Sequence, residues 1–91
     1  MNAKRRAALH VLAHRLKSLK AQLDDCSADL SALCDEEKAA YENTLGHLYG
    51  KKEGRYMAWG YLRTAWGGVS EATQDTFRAI ESIEDAASME L

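Results

Sequence analysis

Leucine returns every seven residues through the first third of this chain. Leu9, Leu16, Leu23 and Leu30 share that interval, and Leu12, Leu19, Cys26 and Leu33 repeat it three residues further on. An apolar 3-4 repeat held over four heptads is the seam of a coiled coil or of a long bundle helix. The register does not slip at Asp24-Asp25-Cys26-Ser27, although these residues form helix poorly. One continuous helix over about 3–43 is therefore expected, capped at its start by Asn2. Asn43, Gly46 and Gly50 serve as stop signals. The chain has 91 residues and no proline, which points away from loop-rich and disulfide-scaffold folds.

The stretch 44–53 reads as a turn, with Gly46 and Gly50 inside it and Gly54 at its edge. A second helix is expected over about 54–88, because Tyr56, Met57, Trp59, Leu62, Ala65, Trp66, Val69, Ala72, Thr76, Phe77, Ile80, Ile83 and Ala87 recur at a 3.6-like period and do not alternate. Gly67-Gly68 marks a candidate kink, break or close backbone approach. No strand signal is present, and the fold class is all-α: a long helical hairpin forming a single domain.

Charge blocks set its direction. Residues 1–20 carry +6, 21–50 carry −6, 51–70 carry +3 and 71–91 carry −5. Folding back near residue 48 lays each block beside one of opposite sign. Single exposed pairs contribute only ~0–1 kcal/mol, but the pattern favours antiparallel docking. A two-helix hairpin buries one stripe per helix, which is thin for so small a chain. The expected solution is a homodimer in which two hairpins form a four-helix bundle.

Several classes fall away. A transmembrane helix needs ~20 apolar residues in a row, and charges interrupt every apolar run here. The basic start Lys4-Arg5-Arg6 is followed by a segment broken by His10 and His14, unlike the apolar core of a signal peptide. A cytoplasmic chain is expected, with Cys26 and Cys34 reduced. Eight residues apart on one helix they sit ~12 Å from each other, beyond disulfide reach. Both lie among acidic residues and not beside the cations that activate thiols, so they read as small apolar residues.

The remaining candidates are binding groups. His10 and His14 have the i, i+4 spacing of a helical zinc pair but lack the intervening glutamate of a metalloprotease, and His47 is remote in sequence, so no metal or other cofactor is expected. Tyr56, Trp59, Arg63 and Trp66, spaced 3, 4 and 3, place the residue types of interface hot spots on one helical stripe, which serves either a partner or the chain's own core. Tyr41 and Tyr49 can extend it around the turn. Lys4, Arg5 and Arg6, with Arg15, Lys17 and Lys20, form a basic segment able to meet nucleic acid. Lys51, Lys52 and Arg55 flank the turn glycines where a phosphate could sit, although the spacing matches no phosphate-loop pattern. No nucleophile, base and acid stand together, and no catalysis is expected.

The opening Met1-Asn2-Ala3-Lys4-Arg5-Arg6-Ala7-Ala8-Leu9, the stretch Glu36-Glu37-Lys38-Ala39-Ala40-Tyr41-Glu42-Asn43 and the acidic Arg78-Ala79-Ile80-Glu81-Ser82-Ile83-Glu84-Asp85-Ala86 resemble a group of short uncharacterised bacteriophage and prophage proteins. The chain departs from that group at 54–68, which is richer in aromatics and glycine. The resemblance implies a phage-borne protein without catalytic residues. The expected function is then inhibition of a host defence system, in the manner of an anti-CRISPR protein, by stoichiometric binding to a host protein in the host cytoplasm. The alternatives are a nucleic-acid-binding or regulatory dimer that uses the basic first helix, and a sponge for a signalling nucleotide.

Overall fold

The computed structural model describes residues 2–44 and 49–89, with the backbone alone at Tyr49. It holds two helices, α1 (Ala3–Glu42) and α2 (Tyr49–Ser88), packed as an antiparallel hairpin. Residues 45–48 of the expected turn, Gly46 and His47 among them, lie outside the described residues, as does the Tyr49 side chain. The molecule measures 70 × 15 × 12 Å, with a radius of gyration of 20.3 Å. A compact chain of this length would have a radius of gyration near ~12 Å.

α1 begins where the sequence places it. The Asn2 Oδ1 accepts the backbone N–H of Arg5 at 2.8 Å, satisfying one of the donors that a helix start leaves free. The helix runs unbroken through Asp24-Asp25-Cys26-Ser27. It ends at Asn43, whose N–H still reaches the Ala39 carbonyl at 3.0 Å, and the Thr44 hydroxyl donates to the Ala40 carbonyl at 2.7 Å.

α2 corrects two expectations. It starts at Tyr49, so Gly50, Lys51, Lys52, Glu53 and Gly54 form its first turns and are not part of a loop. It also continues through Gly67-Gly68 without a break. Two glycines cost a helix ~1 kcal/mol each relative to alanine, a deficit that packing along forty residues overrides. A Cβ built at Gly67 or Gly68 would meet nothing within 4 Å, so neither glycine makes room for a neighbouring backbone in the hairpin. Three threonines bend back onto the helix: Thr64 to the Gly60 carbonyl at 3.1 Å, Thr73 to Val69 at 2.9 Å and Thr76 to Ala72 at 2.7 Å.

The larger correction concerns the seam. On α1 the buried and half-buried positions include 6, 9, 13, 16, 20, 23, 27, 30, 34, 37 and 41, a strict 3-4 repeat. Leu9, Leu16, Leu23 and Leu30 supply one column, as expected. The other is Arg6, Ala13, Lys20, Ser27, Cys34 and Tyr41, not Leu12, Leu19, Cys26 and Leu33. Leu12, Leu19 and Leu33 are 44%, 51% and 47% exposed, and Cys26 is exposed too. α1 is therefore turned by about 50°, one column, from the orientation that its leucines imply.

The reason lies in α2. Its inward columns are Leu62, Val69, Thr76 and Ile83 beside Trp59, Trp66, Thr73, Ile80 and Ala87, all buried or half-buried except the partly open Trp66. The two tryptophans select what α1 sets against them: Trp66 meets the small Ser27, whose hydroxyl accepts its indole N–H at 3.1 Å, and Trp59 stacks on the flat ring of Tyr41. Among the described residues the buried apolar side chains are Ala13, Cys34, Ile80 and Ala87.

Gly67 faces solvent on a continuous helix with free space at its Cβ position. Gly67→Ala should therefore stabilise the fold by about 0.5–1 kcal/mol, raising Tm by several degrees. Thermal unfolding followed by circular dichroism checks this. A fall in Tm would mean that the glycine admits a neighbour after all.

Candidate protein-binding face

The hairpin register follows from three pairs of facing side chains. Ser27 meets Ser70 with their hydroxyls 3.4 Å apart, the Lys20 ammonium lies 5.9 Å from the centre of the Phe77 ring, and the rings of Tyr41 and Tyr56 are 5.5 Å apart. Seven residues up one helix thus match seven down the other. This register brings residues from both helices onto one side of the molecule.

Toward the turn, that side carries an aromatic cluster. Tyr41 of α1 stacks on Trp59 of α2 at 6.3 Å with planes 18° apart, and Tyr56 meets Trp59 edge-on at 6.0 Å and 70°. Both geometries suit the ring quadrupoles. Three cations close over the rings. The Arg63 guanidinium carbon sits 4.5 Å from the Trp59 centroid, Lys38 Nζ lies 5.9 Å from the same ring, and Lys52 Nζ lies 5.1 Å from Tyr41. Each such contact contributes ~0.5–1 kcal/mol at an exposed site. Trp59 is half-buried and anchors the group, while Tyr56 stays 51% exposed and Arg63 is exposed. The cluster thus presents a rigid aromatic edge with cations around it.

Trp66 stands apart from this group. Its indole N–H donates to the Ser27 hydroxyl at 3.1 Å, and the ring is 41% exposed. Of the stripe read from the sequence, Tyr56, Trp59 and Arg63 come together, while Trp66 marks the next contact along the seam. Lys38 and Lys52 complete the cluster, and spacing on one helix could not show them.

The basic candidates separate. Lys52 and Arg55 are half-buried on the first turns of α2, with Lys51 exposed beside them, so Gly50 and Gly54 lie in helix and not in a loop. Lys4, Arg5 and Arg6 lie at the opposite end of the 70 Å molecule, where Arg6 Nη2 donates to the Met89 carbonyl at 2.9 Å. Lys17 pairs with Glu84 at 2.6 Å across the two helices. His10 and His14 line a shallow cleft of ≈ 500 Å³ with Ala13, Lys17 and Glu84. Among the described residues no three of His, Cys, Asp and Glu stand together as a metal site, and no described helix is long and apolar enough to cross a membrane.

Comparison of the chain with protein-family models, curated proteins and solved structures finds no match.

The half-buried Trp59 and the open Tyr56 should differ in their structural weight. Trp59→Ala should cost about 2–3 kcal/mol and Tyr56→Ala about 1 kcal/mol or less, read from urea midpoints at unchanged slope. Equal losses would mean that Trp59 does not anchor the cluster.

Proposed function

We propose that this chain is a non-catalytic helical hairpin that acts by stoichiometric binding to a protein partner. Following its resemblance to short phage proteins, that partner is a component of a host defence system, met in the host cytoplasm. The observation that carries the binding reading is the cluster of Tyr41, Tyr56, Trp59, Lys38, Lys52 and Arg63. Rigid aromatics with an arginine at their edge dominate the binding energy of protein interfaces, because they cover area while losing little conformational freedom. Here the rings are already held by one another and by seam packing, so binding need not order them. The described clefts along the hairpin are open and shallow, a shape suited to surface contact more than to enclosing a substrate.

The nucleic-acid reading has weaker support. The basic segment of α1 lies beside the acidic end of α2, where Lys17 meets Glu84 and Arg6 meets the Met89 carbonyl. These neighbours reduce the field that a phosphate backbone would feel.

Tagged protein passed over nuclease-treated lysate of a bacterial host should retain a partner at a fixed molar ratio. The double substitution Tyr56→Ala with Arg63→Ala should weaken that complex at least tenfold while leaving helicity intact. Retention of nucleic acid alone, lost with salt and on neutralising Lys4, Arg5 and Arg6, would instead establish the basic helix as the binding element.

A further inference from the structure

The side of the hairpin opposite the aromatic cluster is apolar along its length, and both helices contribute to it. From α1 comes the exposed column Leu12, Leu19, Cys26 and Leu33. From α2 comes a column of alanines at the same interval: Ala58, Ala65, Ala72, Ala79 and Ala86, of which the middle three are exposed and the end two half-buried. The hairpin register sets Leu12 level with Ala86, Leu19 with Ala79, Cys26 with Ala72 and Leu33 with Ala65. A ridge of long side chains therefore runs beside a furrow of short ones, matched step for step.

We infer that this face is covered by a second copy of the chain, with the leucine ridge of each hairpin seated in the alanine furrow of the other. Three observations on the molecule select that occupant. The first is self-complementarity. A two-fold axis along the length of the hairpin turns the face onto itself and places every leucine over an alanine at its own level. One surface thus supplies both halves of the fit, as an isologous interface requires. The second is charge. The same axis lays residues 1–20, at +6, beside the partner's 71–91, at −5, and residues 21–50, at −6, beside 51–70, at +3. The third is area. The accessible surface is 6684 Å². A compact monomer of 10.1 kDa exposes ~5,300 Å². The excess of about 1,400 Å² per chain is what a permanent homodimer of this size covers. The product is a four-helix bundle with antiparallel neighbours, both turns at one end and both aromatic clusters facing outward.

Sedimentation equilibrium and thiol labelling of the unaltered protein test this first. A dimer is expected, with Cys26 protected from a thiol reagent at high protein concentration and reacting faster on dilution. A monomer at 100 μM, or Cys26 labelling that is independent of concentration, would overturn the inference and leave the face to a foreign partner. A larger assembly would overturn it equally. Leu19→Glu with Leu33→Glu should abolish the dimer, whereas Met57→Glu, which alters an exposed apolar residue on another side of α2, should not; the reverse pattern refutes the face. A spin label at Glu53→Cys in a Cys26→Ala background, with Cys34 left buried and the dimer first confirmed by sedimentation, reads the arrangement from a position outside the interface. Labels about 30 Å apart place both turns at one end; labels separated by about 60 Å, the length of a helix, would exclude the leucine-on-alanine arrangement.

Discussion

The architecture depends on what α1 sets against two tryptophans. α2 turns Trp59 and Trp66 toward α1, which answers Trp59 with the flat ring of Tyr41 and Trp66 with the small Ser27. The Ser27 hydroxyl accepts the Trp66 indole N–H and lies 3.4 Å from the Ser70 hydroxyl. A slide of one heptad would present Lys20 or Cys34 to Trp66 in place of Ser27, and that bond would be lost. The half-buried polar residues Lys20, Ser27 and Glu37 weaken the seam relative to an all-leucine one, but they permit a single alignment. Once α1 is rotated to meet the tryptophans, the rest follows. Tyr41 and Lys38 reach Trp59, Lys17 reaches Glu84, and the second leucine column is left facing outward.

Much of the fold was legible in the sequence because its signals are local or additive. Helix 1 could be read from its leucine repeat and Asn2 cap, and the antiparallel course from four alternating charge blocks. The rotation of α1 could not be read that way. Leu9 to Leu30 and Leu12 to Leu33 are equally apolar columns about 50° apart, and periodicity along one helix fixes the stripe without saying which edge of it meets the neighbour. That choice is made by the volumes on α2, which become relevant only once the register is known. The start of α2 was misplaced for a related reason: Gly50 and Gly54 resemble turn residues, yet each lies in helix with open space around its Cβ position.

The candidate site was half legible on the same grounds. Tyr56, Trp59 and Arg63 share a helix, so their spacing announces them. Lys38, Tyr41 and Lys52 join them through the fold-back, which aligns positions far apart in sequence. The alanine column of α2 gave the weakest signal, because alanine is unremarkable in a helix of this composition. Its meaning appears only beside the leucine column, when the same seven-residue interval is found at the same levels on both helices.

The two faces are coupled through the seam that separates them. Covering Leu12, Leu19, Cys26 and Leu33 with a second copy opposes rotation of α1 back toward the leucine-centred orientation, which would otherwise bury part of that column within the hairpin. Holding α1 in place holds Tyr41 and Lys38 over Trp59. In the proposed dimer, self-association would therefore lower the conformational entropy that a partner would have to remove from the aromatic cluster, without occupying any of its surface. With both turns at one end, the proposed dimer would offer two such clusters at the same level on opposite sides of a narrow bundle. A partner with two equivalent sites meets the second at a high effective concentration, and a partner with one site meets a surface already set. On either course the exposed leucines of the proposed dimer would strengthen binding at a face they do not touch.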